Sequence, residues 1–415
     1  MKTRTFFKST ILCILCALFF STSQAQSLES KIDNLLSEQF KANETGVAAL
    51  VSKNGKVVYR KAFGKANLEL NVDMKPENVF EVGSITKQFT AVAILMLLEQ
   101  GKLNLEDDIT KFIPDYPTKG KKITIHHLLT HTSGIKSYTS MRSFGKVMTK
   151  DTPPKEFIDF FKNEPMDFDP GEKYLYNNSG FFLLGYIVEV VSGQSYPDFI
   201  EKNIFKKTNM NSSFYGSHTR MIKNRASGYQ KRGTYSNAQY ISLTLPYAAG
   251  SIMSNVDDML KWQKAINNNT FVKKETIQKA FKNYTLNNGE KINYGYGWSI
   301  NEINNVPTIE HGGAIPGYLS MGIYIPKKDT YVILFSNCGC NSPTNVAIEI
   351  AALAIGKPLH KEVGKVTLTK KQLNEWVGAY KFDDDAVRHI TLKEGQLYSQ
   401  RDGSPQKFKI SPISE

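Results

Sequence analysis

Cysteine is scarce in this chain of 415 residues: there are four, and Cys13 and Cys16 fall in an N-terminal apolar stretch. A disulfide-rich scaffold is therefore excluded. So is a cysteine-built zinc centre, because Cys338 and Cys340 cannot complete a tetrahedral set and no histidine is close in sequence. In an oxidising compartment these two could close a local disulfide, and two free thiols fit equally well. No apolar run is long enough to span a bilayer stably. Acidic residues are outnumbered, 39 against 52 basic ones. The lysines are scattered and no nucleic-acid module interrupts them, so the excess reads as a charged, soluble surface, with no nucleic acid as partner. Internal repeats and low-complexity tracts are missing too, which argues against a solenoid or a disordered linker.

What is present begins with an export signal over residues 1–25. Lys2, Arg4 and Lys8 form a basic start, Ser9 to Phe20 is a short apolar stretch, and Ser21-Thr22-Ser23-Gln24-Ala25 offers small residues for cleavage after Ala25. The expected location is periplasmic or secreted, without a stable membrane span once the signal is removed. Cleavage leaves 49 basic and 39 acidic residues, a net charge of +10. The length and the 41% hydrophobic content predict one large domain and a small one.

Leu28 to Phe40 has the periodicity of an amphipathic helix. Gly46–Ser52 and Val57–Phe63 are predicted strands, joined through Asn54-Gly55, a favoured hairpin dipeptide. A run from Phe89 to Leu98, closed by Gly101, is apolar on nearly every side and predicts a buried helix. A mostly helical stretch follows, including Ile125–His131 and Phe181–Val191. Strands return at Tyr318–Ile325 and Thr330–Asn337, which read as alternating around the turn at Pro326–Asp329, and a helix covers Asn345–Ile355. The expected fold is α/β, in the sense of an α+β sandwich. An antiparallel sheet built from both ends of the chain is flanked by helices, with a helical subdomain inserted between its halves. Past Pro358, Trp376–Tyr380, Arg388–Leu392 and Gln396–Gln400 predict a small β appendage of some four strands. The domain boundaries are thus 26–360 and 361–415.

The most informative four residues are Ser84-Ile85-Thr86-Lys87. Positions i and i+3 share a helix face, so the lysine can reach the serine hydroxyl, and a desolvated amine can take its proton. The same S-x-x-K spacing recurs at Ser133–Lys136, Ser143–Lys146 and Ser404–Lys407. Only Ser84 leads directly into a buried helix, where it could otherwise serve as an ordinary helix cap. Tyr176-Asn177-Asn178 precedes another apolar helix. A phenol near an ammonium can have a depressed pKa and relay protons, and Asn178 can orient a peptide bond. Tyr235-Ser236-Asn237 repeats the Y-x-N spacing without a buried helix behind it. In His311-Gly312-Gly313-Ala314 the glycines allow close backbone approach, and strand N–H groups can stabilise an oxyanion together with that of Ser84.

In this order the three clusters resemble the serine β-lactamase and penicillin-recognising DD-peptidase superfamily, on its class C side. Phe80-Glu81-Val82-Gly83, Leu103–Ile109, Leu128-Leu129-Thr130-His131-Thr132-Ser133-Gly134 and Ala249–Ser254 extend the likeness over roughly residues 28 to 357. The resemblance implies Ser84 as nucleophile, Lys87 and Tyr176 as a coupled proton-transfer pair, and Asn178 as substrate-orienting. It also implies an oxyanion site at the N–H groups of Ser84 and Ala314, with no cofactor or metal. His131, in the Leu-Leu-Thr-His-Thr-Ser-Gly signature, reads as architectural, and His126 and His127 as packing or surface residues. Many relatives carry Lys-Thr-Gly where this chain has His311-Gly312-Gly313. Histidine is only partly charged near neutral pH, and Gly312 has no hydroxyl, so a substrate carboxylate loses charge-assisted contacts worth about 1.5–3 kcal/mol. The expected activity is an exported serine hydrolase acting on a small peptide of D-amino-acid type or an ester, peptidoglycan-derived substrates included. The alternatives are a true β-lactamase and a non-catalytic peptidoglycan-binding or sensor protein.

Overall fold

The computed structural model describes residues 27–359, 368–383, 386–403 and 407–412. The expected signal over residues 1–25 lies outside them, as do residues 360–367. The chain divides into two compact units, one ending at Lys357 and one beginning at Pro358.

The first unit opens with helix α1, Leu28–Gln39, capped by Ser27, whose hydroxyl accepts the Ser30 N–H. Strands β1, Val47–Lys53, and β2, Lys56–Phe63, form the Asn54-Gly55 hairpin, and both turn residues have positive φ. A two-residue strand β3, Phe80–Glu81, leads into a 3₁₀ turn, Gly83–Ile85, and then helix α2, Thr86–Glu99. The inserted helical region follows, including α3, Ile125–Leu129, and α4, Asn178–Ser192. It closes with α5, Tyr247–Gly250, strand β4, Ile252–Ser254, and α6, Val256–Asn267. The sheet resumes with β5, Ser299–Ile303, β6, Val306–Ile315, β7, Tyr318–Ile325, and β8, Thr330–Ser336, before helix α7, Thr344–Ala354.

The six long strands pair antiparallel in the order β5-β6-β7-β8-β1-β2, so the two ends of this unit meet at the β8–β1 pair, with Leu50 opposite Ile333. All seven residues of β8 and six of seven in β1 are buried. The expected alternation is therefore not found: helices cover both sheet faces, and a strand buried on both sides reads as a continuous apolar run. Helix α2 is buried from Thr86 to Leu97, where Phe89 stacks on Trp262 at 4.0 Å.

Two element ends differ from expectation for local reasons. Helix α3 stops at Leu129 because His131 takes a left-handed backbone, φ 58°. Helix α4 begins at Asn178 because the Asn177 side chain caps it, accepting the Gly180 N–H at 2.8 Å. Cys338 and Cys340 are joined as a disulfide.

The second unit has a short helix α8, Lys370–Glu375, set by a capping box between Thr369 and Gln372. Four antiparallel strands follow in sequence order: β9, Gly378–Asp383, β10, Ala386–Lys393, β11, Gln396–Arg401, and β12, Lys407–Ile410. Lys407, of the fourth S-x-x-K, lies on β12.

Candidate active site

Ser84 sits in the 3₁₀ turn that feeds α2, and the first α-helical residue is Thr86. No side-chain cap bond is made at this terminus. The hydroxyl is therefore not spent as a helix cap. The Lys87 Nζ lies 3.1 Å from Ser84 Oγ, 2.8 Å from Asn178 Oδ1 and 2.8 Å from the Ala249 carbonyl oxygen.

Burial, rather than these partners, bears on the protonation state. Lys87 is fully buried and has no carboxylate beside it, so desolvation pushes its pKa well below 10.5. A neutral amine has two hydrogens and one lone pair. The Asn178 amide oxygen and the Ala249 carbonyl can only accept, so they take both hydrogens. The lone pair is left for the Ser84 hydroxyl. Asn178 keeps this orientation because its Nδ2 donates to Thr139 Oγ1 at 3.1 Å and its N–H to Ser137 Oγ at 3.2 Å.

Tyr176 borders the same cleft, its ring centroid 4.8 Å from Lys87 Nζ. The expected fall in its pKa does not occur. Burial pushes the phenol up, outweighing the opposing contact with Ser84. With 36% of its surface open the push is weaker than for a core phenol, but its direction leaves the group protonated. The reason is desolvation, which disfavours the charged phenolate more than the Ser84 contact favours it.

The third cluster lies on β6. Pairing with β5 ends at Glu310 opposite Ser299, so from His311 onward that strand edge is free of β5. The Ser84 turn packs on this stretch of β6. A Cβ on Gly83 would come within 2.8 Å of the Ala314 nitrogen, and one on Gly313 within 3.1 Å of the Ser84 nitrogen. The positive φ of Gly83, 53°, and the absence of a side chain at Gly313 together permit this approach.

His311 is a correction to the expected half-charged ring. It is buried, its pKa drops to about 4 chiefly through desolvation, and it is neutral at pH 7. Its Nε2 meets the Tyr294 hydroxyl at 2.9 Å and its Nδ1 the Gly312 carbonyl at 2.5 Å. The ring thus has its hydrogen on Nδ1, assigned from the carbonyl partner, and accepts from Tyr294.

The structure brings Ser84, Lys87, Tyr176, Asn178 and the Gly312–Ala314 edge together. The rival tyrosine, Tyr235, sits on a separate two-stranded ribbon with Tyr229–Arg232. Lys136 pairs with Asp167 at 2.7 Å instead of serving Ser133. The Ala249 carbonyl, Ser137, Thr139 and Tyr294 had no assigned part; Ala249 carried a signal, being within a quoted stretch of the resemblance. His126 bonds the Tyr296 hydroxyl and His127 completes the capping box of α3. Among the described residues, no group of three His, Cys, Asp or Glu could hold a metal ion.

Comparison with known proteins agrees with this fold. A profile of the family described as Beta-lactamase matches residues 32–355. The chain is similar to Penicillin-binding protein 4* of Bacillus subtilis (strain 168), 29% identical over 406 residues, covering 92% of this chain and 88% of the relative. It resembles the octameric penicillin-binding protein homologue from Pyrococcus abyssi at 31% identity and a TM-score of 0.71, covering 92% and 89% of the two chains. D-amino acid amidase from Ochrobactrum anthropi SV3 shares the fold, with a TM-score of 0.69 at 22% identity over 79% of this chain and 99% of that one.

Proposed function

The chain belongs to the beta-lactamase family and is a serine hydrolase of that superfamily, and from this premise we propose that it forms an acyl-enzyme on Ser84 from a small D-amino-acid peptide or an ester. The observation that carries the proposal is the amine of Lys87, buried without a counter-ion and with its lone pair left for Ser84 Oγ. Lys87 takes the hydroxyl proton as Ser84 Oγ bonds to the substrate carbonyl carbon. The N–H groups of Ser84 and Ala314 receive the oxyanion. Tyr176, held protonated, gives its proton to the departing amine or alkoxide and recovers one from Lys87. Water then cleaves the ester bond of the acyl-enzyme and regenerates Ser84. Asn178 orients the substrate amide while it holds Lys87.

His311 argues against efficient β-lactam turnover. A β-lactam carboxylate would meet a neutral, internally bonded imidazole there, and Gly312 adds no hydroxyl. Nitrocefin turnover is expected to be weak beside that of a D-amino-acid ester or amide.

Incubation with a fluorescent fluorophosphonate is expected to label the protein stoichiometrically, and Ser84→Ala to abolish labelling and lower turnover by about 10⁴-fold or more. Label retained by Ser84→Ala would sink the proposal. We also assign the chemistry to residues 26–360, with residues 361–415 an appendage, and place the enzyme outside the cytoplasm. Protein recovered from periplasm or medium should begin at Gln26, and an intact Met1 terminus there would contradict the export signal.

A further inference from the structure

Tyr176 is held from both sides by one residue. The carbonyl of His131 accepts the N–H of Leu175 at 3.1 Å, and its Nδ1 accepts the N–H of Asn177 at 3.0 Å. Its ring lies against the Tyr176 ring, centroids 4.3 Å apart and tilted by 39°. These contacts need an unusual backbone. His131 sits at φ 58° with 1% of its surface exposed, and such left-handed non-glycine positions are uncommon, though histidine is among the residues enriched there.

The acceptor role of Nδ1 places the ring hydrogen on Nε2, and that buried nitrogen has no hydrogen-bond partner among the described residues. Its surroundings include the rings of Phe181 at 5.1 Å and Tyr294 at 4.7 Å. A leucine there would keep much of the bulk and leave no polar nitrogen without a partner. What leucine cannot supply is the acceptor for Asn177, one residue past the phenol.

We infer that His131 is a positioning residue for proton transfer: by bracketing Leu175 and Asn177 and packing on the ring between them, it sets where the Tyr176 hydroxyl meets the leaving group. This deepens the acyl-enzyme proposal and rests on it. The chemistry gives a particular signature. A leaving amine must gain a proton as it departs, whereas a p-nitrophenolate leaves without one. Misplacing Tyr176 therefore harms amide cleavage more than activated-ester cleavage. A residue that served only the stability of the fold would not discriminate between leaving groups.

The test uses the full-length mature enzyme and a matched p-nitroanilide and p-nitrophenyl ester of one acyl group that the wild type hydrolyses. His131→Phe keeps a ring and removes the acceptor. His131→Asn places an amide oxygen near the Nδ1 position and suits the left-handed backbone. His131→Phe is expected to lower kcat for the anilide about 100-fold and for the ester about tenfold or less, with KM nearly unchanged. His131→Asn should recover at least about tenfold of the anilide loss. Equal losses on both substrates, or a change confined to KM, would overturn the proposal. So would His131→Asn performing no better than His131→Phe. His131→Leu is a second acceptor-free variant. If it and the phenylalanine variant both fail to fold while His131→Asn folds, His131 serves stability and the proposal fails. Turnover undiminished in Ser84→Ala would instead overturn the acyl-enzyme reading as a whole.

Discussion

Lys87→Met will abolish turnover, and it will also remove a pH dependence from the stability of the fold. Methionine matches the length of the lysine stem and leaves Ser84 without a base, so a loss of kcat/KM of about 10³-fold or more is expected. The stability effect follows from the buried amine. Its folded pKa lies well below 10.5, so over the interval between the two values the unfolded chain binds a proton that the folded chain does not. Stability contributed by this group is therefore lowest at the acidic end of the interval and rises with pH until the unfolded amine also deprotonates near 10.4. The slope is on the order of 1 kcal/mol per pH unit while only the unfolded amine is charged. Urea denaturation of both proteins at pH 7, 8 and 9 should show wild type gaining on the variant at each step. Parallel curves would mean that Lys87 is charged in the folded protein. The offset at a single pH is less informative, because methionine also leaves Asn178 Oδ1 and the Ala249 carbonyl without their donor, at about 1–3 kcal/mol each.

Gly313→Ala is the second large effect. The added Cβ would lie 2.0 Å from the Val82 carbonyl oxygen and 2.3 Å from Ser320 Oγ. These atoms are not incidental neighbours: the Ser320 hydroxyl donates to that carbonyl at 2.9 Å and ties β7 to the segment just before the nucleophile. The methyl must break this bond and push Val82–Ser84 away from β6, separating the two N–H groups proposed to face the oxyanion. A fall in kcat of about 10²–10³-fold is expected, the scale of losing one such donor. Overpacking adds a destabilisation of about 1–3 kcal/mol. Gly312→Ala is the control for stability, since its Cβ would find neighbours no closer than 3.5 Å. Its melting temperature should match wild type, and a Gly313→Ala protein with wild-type kcat would show that strand and nucleophile need not touch.

Legibility in the sequence followed the range of the interaction. Ser84 and Lys87 lie one turn apart on a strongly apolar helix, so their encounter follows from local geometry. Tyr176 and Asn178 showed themselves through the helix behind them, and the strands and their hairpin turns through turn chemistry. What resisted were contacts that no spacing encodes. The second hydrogen of the Lys87 amine goes to a backbone carbonyl 162 positions away, and a main-chain oxygen has no residue type to betray it. The pKa direction of Tyr176 hinges on how deeply the phenol is buried, which no spacing encodes. His131 hid inside a signature whose two partners, Leu175 and Asn177, come from another part of the chain. The helix Lys370–Glu375 was missed although its capping box, Thr369 to Gln372, stands in plain letters, because the strand pattern beyond it drew the eye.

The end of pairing at Glu310 also leaves a sheet margin with a hazard of its own. A sheet margin with bare amide and carbonyl groups invites the same margin of a neighbouring molecule, the first step of ordered aggregation. Here Val82–Ser84 pack so close to the stretch beyond Glu310 that Gly313 has no room for a methyl group. The turn that carries the nucleophile thus crowds the same stretch of strand on which a neighbouring molecule would have to align. Loosening it, as Gly313→Ala would, is therefore expected to favour association between molecules as well as to slow catalysis.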